Sequence, residues 1–382
     1  MKLTSVIGLA TALVGFALGA SAQDAPGVSA DTVAFAQIAA LDGPAKQLGL
    51  GMQEGILAAF AEVNAKGGVN GRQLTLSSRD DGYEPDRSIE QINKLLAENA
   101  HFALIGTVGT PTNKVLQPIA TEAHLPLVGP FTGAGFLRNP DLDNVYNLRG
   151  SYDAETEAWI KHLVDDEGLK NIAILYQDDS FGRAGLSGVN KALAKRNMSL
   201  VAEGTYTRNT TNVKDALFTI RDANPDAVVM VGAYKPIGEF IKLSRSLEFT
   251  PEFVTISFVG SKALADELWP EGAGVIISQV VPFPWDDSLP IVKDYQNALM
   301  AQDEYAEFGF VTLEGYLVGR LTIEALSRAG DNPTRDSFLA ALQGMKSWDM
   351  GGLTITFGPK DHQGIDTIFM TRLLPDGFFE PM

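Results

Sequence analysis

Short apolar runs alternate along the chain with longer segments of helical periodicity. In the first cycle, Val33–Leu41 predicts a strand, Gly51–Val63 predicts a helix with an apolar face, and Leu74–Ser77 predicts a second strand. Lys66-Gly67-Gly68 marks the end of the helix. This alternation is typical of βαβ units, so the sequence predicts an α/β fold with parallel-rich sheets.

The alternation comes in two series, one up to about residue 150 and one from there to about residue 281. After Pro282-Phe283-Pro284 follow three helical segments and two β-like runs, Leu353–Phe357 and Thr367–Leu374, which predict a final hairpin. These last pieces are too few for a third domain. Because the chain is longer than one hydrophobic core usually serves, we expect two lobes that share the C-terminal pieces.

Residues 1–22 have the pattern of a cleaved secretory signal peptide. Lys2 precedes the uncharged apolar stretch Val6–Ala20, which ends in the small residues Ala20-Ser21-Ala22. The stretch is shorter than the roughly 20 residues that a membrane-spanning helix needs. We therefore expect an exported periplasmic protein that is not itself inserted in the membrane.

Composition narrows the possible partners and cofactors. The formal net charge is −17, and cleavage after residue 22 removes Lys2 and no acid, which disfavours nucleic acid and anionic membranes as partners. The chain has no cysteine, so it has no disulfides, thiolate metal sites or lipid-modified cysteine. We expect a monomer without a cofactor.

Signals of catalysis are weak. The four histidines are isolated, and there is no phosphate-binding GxxxxGK[ST] loop, no GxGxxG after a strand and no GxSxG nucleophile elbow. The sequence therefore predicts a protein that is not an enzyme, and a secreted hydrolase is the least favoured alternative.

One strand end predicts a seat for an anion. In the segment Ile105–Asn113, a buried strand ends in a flexible turn, Thr110 is a good N-cap and Pro111 a good first helical residue. Free N–H groups and the positive end of the helix dipole would then meet at the carboxyl edge of the sheet, where α/β folds bind ligands. The alternative is that Thr110 only caps its own helix.

Other strand-end loops place an aromatic ring beside a small polar residue. Each ring taken alone is more often a packing residue than a ligand contact. Together they predict a cleft for a small, largely apolar molecule with one anionic end. The residues of these loops that we assign to the cleft are Phe131, Thr132, Phe181, Tyr234, Ser257 and Phe258.

The chain resembles the periplasmic leucine/isoleucine/valine-binding proteins of branched-chain amino acid ABC importers. The segments that carry the resemblance are Asn64-Ala65-Lys66-Gly67-Gly68-Val69-Asn70-Gly71-Arg72, Asp80-Asp81 with Pro85, Ile105-Gly106, Pro126 with Gly129-Pro130, Asp179 with Phe181-Gly182, and Pro225-Asp226-Ala227. The resemblance implies a type I periplasmic binding fold, in which two Rossmann-like lobes are joined by three crossovers and close by a hinge motion. The implied boundaries are residues 23–149 plus 282–350 for lobe 1 and 150–281 plus 351–382 for lobe 2.

The resemblance also implies roles for individual residues of the cleft. Thr110 matches a hydroxyl residue that grips the ligand carboxylate, and Val108 and Gly109 match its neighbours. Phe181 lies where the family usually has a tyrosine, and Tyr234 matches a second aromatic residue.

Further matches concern the ligand's ammonium group. Thr132 lies on the loop that supplies a backbone carbonyl for that group, although Gly133 replaces the hydroxyl residue expected beside it. Ser257, or its neighbour Phe258, stands where amino acid binders have an acidic residue. A buried ammonium without such a partner costs several kcal/mol. An apolar carboxylate or another small apolar solute is therefore predicted at least as strongly as an α-amino acid, unless Asp178, Asp179 or Glu239 supplies the charge.

The function predicted from the sequence is solute capture for the membrane permease of an ABC importer. A ligand would bind one lobe, the second lobe would close over it, and the permease would recognise the closed form. The main alternative is a ligand-binding module for a sensor kinase or chemoreceptor.

Overall fold

The computed structural model describes residues 25–382, and the predicted signal peptide lies outside them. The first of its sheets is parallel throughout, with strand order β2-β1-β3-β4-β5. Its strands are β1 (Thr32–Ala39), β2 (Gln73–Asp80), β3 (Leu104–Ile105), β4 (Leu127–Val128) and β5 (Val145–Tyr146). The connecting helices are α1 (Lys46–Ala65), α2 (Pro85–Glu98) and α3 (Thr110–Glu122). This is the βαβ alternation that the hydrophobic pattern predicts.

A second sheet repeats the same scheme. Its first five strands are parallel: β6 (Ile172–Gln177), β7 (Ala202–Tyr206), β8 (Ala227–Val231), β9 (Glu252–Thr255) and β10 (Ile276–Gln279). The accompanying helices are α4 (Tyr152–Ile160), α5 (Ser180–Ala194), α6 (Lys214–Asp222), α7 (Tyr234–Ser246) and α8 (Ser261–Leu268). Every residue of β6, β8 and β10 is buried, as expected for strands covered on both faces.

The next helices return to the first sheet. They are α9 (Pro290–Met300), α10 (Phe310–Ala329) and α11 (Arg335–Gln343). Helix α10 packs along α1 with the two backbones nearly touching. A Cβ atom on Gly55 would collide with the carbonyl of Thr312, and one on Gly315 would collide with the carbonyl of Met52. Glycines at these positions therefore set the helix separation and fix α10 in lobe 1.

The C-terminal strands differ from the predicted hairpin. Strand β12 (Thr354–Ile355) pairs with β11 (Trp348–Asp349) in a small antiparallel sheet of their own. Strand β13 (Phe369–Leu373) pairs with β10, and β14 (Phe379–Pro381) pairs with β13. The prediction was wrong because the free edge of β10 offers the second run a longer ladder than the first run does.

The chain crosses between the lobes three times: after β5, after β10 and before β13. The segment before the last crossing still lies against β5. Asn147 N–H donates to the carbonyl of His362 at 2.8 Å, Gly364 N–H donates to the carbonyl of Asn147 at 2.8 Å, and the His362 ring stacks on Tyr146 at 4.6 Å. We therefore propose that the third crossover follows residue 365 rather than the predicted boundary at 350/351.

No helix among residues 25–382 combines the length and the apolar character that crossing a membrane requires.

We expect Gly55→Ala to lower the free energy of unfolding by about 1–3 kcal/mol, because the added methyl group forces α1 and α10 apart. Urea denaturation measures the change. Gly135→Ala is the matched control, since a Cβ atom there has open space around it. Equal unfolding midpoints for the two variants would contradict backbone contact between the helices.

Candidate ligand-binding site

Three aromatic rings from both lobes meet around the ring of Phe258. The ring centroid of Phe258 lies 4.6 Å from that of Phe181, 5.3 Å from Phe131 and 5.9 Å from Tyr83. Phe181 and Phe258 follow strands of the second sheet, β6 and β9, whereas Tyr83 and Phe131 follow strands of the first, β2 and β4. All four side chains, which we name the ring cluster, are at most 1% exposed. The ring cluster therefore joins the carboxyl edges of the two sheets.

The position of Phe258 follows from the turn that carries it. Ser257–Val259 form a single 3-10 turn just after β9, and Gly260 ends that turn with a φ of +78°. A side chain at this φ is strained, and a Cβ atom would lie 2.6 Å from Leu48 Cδ2 in lobe 1. Glycine thus lets the turn approach the other lobe and insert the phenyl ring.

The cleft is closed in this structure. Within the described part of the chain, the space beside Phe131, Arg149, Ser257 and Glu314 is too small for a water molecule. The rings fill the groove that the sequence predicts instead of only lining it. A ligand can enter only when the lobes part or the ring of Phe258 turns aside.

Two hydroxyl groups meet beside the ring cluster. The Oγ1 atoms of Thr110 and Thr132 are 2.7 Å apart, and both side chains are at most 1% exposed. Thr132 Oγ1 also accepts a hydrogen bond from Ala134 N–H at 3.2 Å. We name this pair of threonines the hydroxyl seat.

Thr110 is not the helix cap that the sequence predicts. Helix α3 starts at Thr110 itself, and Gly109 is its N-cap, with a φ of +103°. Only glycine fits at the cap, since a Cβ atom would strike the ring of Tyr83. The hydroxyl of Thr110 makes no capping bond and pairs with Thr132 instead.

Val108 and Gly109 hold the two loops of the hydroxyl seat together. Val108 forms a parallel bridge with Phe131, and Gly109 N–H donates to the carbonyl of Phe131 at 3.2 Å. These two residues therefore act through backbone geometry, and the side chains of Phe131 and Thr132 face the cleft as a result.

A buried ion pair lies at the base of the cleft. Arg149 donates from Nε to Glu314 Oε1 at 2.8 Å and from Nη2 to Oε2 at 2.7 Å, and the two side chains are 1% and 2% exposed. The guanidinium also lies 4.2 Å above the ring of Phe131. Burial lowers the pKa of Arg149, but Glu314, Tyr152 and Glu155 together raise it above its ordinary value, so the group stays charged.

A second buried carboxylate, Glu155, reaches the same place. It accepts from Ser257 N–H and from the Ser257 hydroxyl, each at 2.9 Å, and from the Ser278 hydroxyl at 2.5 Å. Burial raises the pKa of Glu155, while Arg149 and these three donors lower it by less. Ser257 in turn accepts from Arg149 Nη1 at 3.0 Å. Its hydroxyl hydrogen is thus already committed to Glu155.

Sequence reasoning missed Arg149, Glu155 and Glu314. Each is a single charged residue in an otherwise ordinary strand-end or helical pattern, so only the three-dimensional fold reveals its partners. Asp179, which the sequence offered as a source of negative charge, instead caps α5 by accepting from Phe181 N–H at 2.9 Å.

Tyr234 lies at the lobe junction outside the ring cluster. It begins α7, and its hydroxyl oxygen accepts from Gln47 N–H of lobe 1 at 3.5 Å. Of the predicted cleft residues, the structure brings together Thr110, Phe131, Thr132, Phe181, Ser257 and Phe258, with Val108 and Gly109 as backbone support.

Polar contacts at the cleft rim also connect the lobes. Arg208 of lobe 2 pairs with Glu84 of lobe 1 and with Asp179, each at 2.8 Å. Asn209 Nδ2 donates to Glu84 Oε1 at 2.7 Å and to the carbonyl of Gly82 at 3.0 Å. We name Arg208, Asn209 and Glu84 the latch, because their contacts require closed lobes.

A model of the family described as "Periplasmic binding protein" matches residues 32–377, nearly all of the described chain. The chain belongs to this family. The predicted resemblance and the predicted type I fold are both confirmed.

Similar proteins come from several bacteria. The crystal structure of a possible leucine/isoleucine/valine-binding protein from Rhodopirellula baltica is 36% identical, with a TM-score of 0.88 over 94% of this chain and 98% of that one. The Leu/Ile/Val-binding protein BraC3 of Rhizobium johnstonii is 28% identical and covers 89% of this chain and 91% of its own length. A fatty acid ABC transporter substrate-binding protein from Thermomonospora curvata is 18% identical with a TM-score of 0.86, covering 94% and 93% of the two chains, and shares the fold alone.

These relatives of the periplasmic binding protein are binding proteins rather than enzymes. Among residues 25–382, no three histidine, aspartate or glutamate side chains are grouped so that they could hold a metal ion.

We expect Arg149→Met to destabilise this periplasmic binding protein by about 3–5 kcal/mol, because it leaves Glu314 charged and unpaired in the core. The double variant Arg149→Met with Glu314→Met should regain most of that loss. Urea unfolding of the wild type, both single variants and the double variant measures the coupling. Additive losses would show that the two side chains do not interact.

The contacts of the latch should hold the two lobes closed in solution. Arg208→Ala should favour open lobes and increase the ligand-free radius of gyration measured by small-angle X-ray scattering. Arg196→Ala is the matched control, since Arg196 also binds two carboxylates, Asp165 and Glu157, but both lie in its own lobe. An increase of the same size in both variants would rule out a role of the latch in closure.

Proposed function

We propose that this chain is the periplasmic solute-binding component of an ABC importer and captures a small apolar carboxylate or amino acid between its lobes. We also propose export by a signal peptide cleaved after residue 22. The observation that carries the proposal is the hydroxyl seat beside the ring cluster, at the junction of two lobes that the chain links three times. Family membership supports the same role.

The two parts of the site suit the two ends of such a ligand. Buried threonine hydroxyls next to a helix N-terminus donate hydrogen bonds to an anionic oxygen. The ring cluster offers flat apolar surface to a hydrocarbon or aromatic group. Thr110 and Thr132 would therefore hold the charged end, while Phe131, Phe181 and Phe258 hold the apolar end.

The charges near Ser257 favour a carboxylate without an α-ammonium group. The guanidinium of Arg149 donates to Ser257 and is paired with Glu314, so it offers no acceptor to a ligand ammonium at the position that the resemblance assigns to that group. The hydroxyl hydrogen of Ser257 is committed to Glu155, and Glu155 already accepts three hydrogen bonds. An amino acid remains the alternative, because Glu155 brings a carboxylate close to that position.

The mechanism we propose is closure of the lobes over the ligand. Ligand contacts made from both lobes exist only in the closed form, so binding shifts the population towards closure. The latch then bridges the rim, and the permease recognises the joined surface of the two lobes.

A thermal-shift comparison of matched ligand pairs tests the proposed ligand class. The pairs are isocaproate with L-leucine and hydrocinnamate with L-phenylalanine, which differ only in the α-amine. We expect the amine-free member to raise the melting temperature more, because a ligand that binds only the native state stabilises it in proportion to its affinity. Strong stabilisation by the amino acids, with none by the acids, would contradict the argument from Arg149 and Ser257.

The hydroxyl seat is tested by Thr110→Val, which keeps the side-chain shape and removes the hydroxyl. We expect roughly a tenfold loss of affinity for the acids measured by calorimetry, about 1.4 kcal/mol. Thr322→Val is the control, since its buried hydroxyl donates to the Val318 carbonyl within α10. Unchanged affinity in Thr110→Val would remove the seat from the proposal.

A further inference from the structure

Tyr152 is a buried tyrosine beside the loop that carries Thr132. It is the first residue of α4, and the hydroxyl of Ser151 caps that helix by accepting from Ala154 N–H at 3.2 Å. The side chain is 1% exposed, and its ring packs against Phe181 at 5.5 Å. Among residues 25–382, its hydroxyl has no hydrogen-bond partner of acceptable geometry. A buried unpaired hydroxyl costs about 1–3 kcal/mol, so its retention needs an explanation.

The hydroxyl of Tyr152 lies beside the hydroxyl seat. Burial raises the pKa of Tyr152, whereas Arg149, Thr132 and Thr110 each lower it. The ring of Tyr152 lies directly against Gly133, the residue that follows Thr132, and its hydroxyl makes no hydrogen bond of good geometry to either threonine. Three hydroxyl groups, two from the starts of α3 and α4 and one from the loop after β4, therefore converge on one place.

The place where the three hydroxyl groups converge is rich in hydrogen-bond donors. The bond between Thr110 and Thr132 uses one hydroxyl hydrogen, and Ala134 N–H donates to Thr132. Two of the three hydroxyl hydrogens, one from the seat and that of Tyr152, remain for another acceptor. Two convergent donors suit a carboxylate, which offers two oxygens and accepts without donating.

Gly133 makes the room that Tyr152 occupies. A Cβ atom at residue 133 would lie 2.5 Å from Tyr152 Cδ1 and 2.7 Å from its backbone nitrogen. Tyr152 N–H also donates to the carbonyl of Gly133 at 2.8 Å. Residue 133 is the position at which the resemblance implies a hydroxyl residue. The hydroxyl group that is absent at Gly133 is thus replaced by the hydroxyl group of Tyr152, which comes from the start of α4.

We infer that Tyr152 is a ligand-contacting residue that donates its hydroxyl hydrogen to the ligand carboxylate, alongside Thr110 and Thr132. The inference rests on the proposed function and deepens it. It selects ligands with two anionic oxygens at the hydroxyl seat, and it makes Gly133 a positioning residue that acts through Tyr152.

Tyr152→Phe removes the hydroxyl and keeps the ring. We expect it to weaken the binding of isocaproate about 10- to 100-fold by calorimetry, the range for a hydrogen bond to a charged group. Binding of isocaproamide, the neutral amide of the same acid, should weaken much less. Gly133→Ala should mimic Tyr152→Phe, because the added methyl group displaces the tyrosine ring.

The melting temperature without ligand distinguishes a ligand-contacting role of Tyr152 from a purely structural one. The ligand-free melting temperature of Tyr152→Phe should equal or exceed that of the wild type, since the substitution removes an unpaired polar group. Tyr295→Phe is the control: its hydroxyl accepts from Gly309 N–H at 2.8 Å, so its loss should lower the melting temperature and leave isocaproate affinity unchanged.

The results of these binding measurements distinguish the proposed carboxylate ligand from the inferred role of Tyr152. A wild-type protein that binds neither isocaproate nor hydrocinnamate overturns the proposed carboxylate ligand and the inference together. If isocaproate binds and Thr110→Val weakens it while Tyr152→Phe does not, only the inference is wrong. Equal losses for isocaproate and isocaproamide in Tyr152→Phe also overturn the inference, because the hydroxyl then does not distinguish the carboxylate.

Discussion

The closed cleft depends on keeping three buried charges satisfied at its base. Arg149 and Glu314 of lobe 1 form a bidentate pair, and Ser257 connects that pair to Glu155 of lobe 2. An ionised group in such a place costs several kcal/mol unless every partner is correctly placed. Within this network, the hydrogen bond from Arg149 Nη1 to Ser257 is the one that crosses between the lobes, so sliding one lobe past the other would break it, while Arg149 keeps Glu314 and Glu155 keeps Ser278.

The ring cluster and the latch add contacts that depend on the same closed arrangement. Phe258 packs on Tyr83 and Phe131 across the junction, and Arg208 reaches Glu84 at the rim. A ligand that binds in the cleft must separate some of these rings, so its affinity is the difference between its own contacts and those it replaces. For the carboxylate ligand that we propose, the charged end matters most, because the hydroxyl seat would provide hydrogen bonds that the aromatic rings cannot.

The sequence predicts the fold well and the site in part, for physical reasons that individual residues illustrate. Hydrophobic periodicity is local, so strands such as β1 and helices such as α1 follow directly from it. The ring-bearing loops were also predictable, because parallel strands bring their carboxyl ends to one edge. Pairings such as Arg149 with Glu314, or β13 with β10, join residues far apart in the chain, and a single sequence carries no signal of which distant partner each will meet.

Gly133 and Tyr152 illustrate how a hydroxyl group that is missing from one residue can be replaced by a hydroxyl group from another structural element. In the sequence alone, Gly133 means that the hydroxyl group implied at this position by the resemblance is absent. In the fold, the absence of a side chain at residue 133 admits the larger ring of Tyr152 from another element, and its hydroxyl is the one that we infer to serve the same seat. The ring of Tyr152 is already held by its packing on Phe181, and its backbone N–H is bonded to the Gly133 carbonyl, so little conformational entropy is lost when its hydroxyl meets a ligand. Replacing a loop hydroxyl with one anchored at a helix start therefore makes the seat more preorganised, which favours ligands of one fixed geometry over a broad range of solutes.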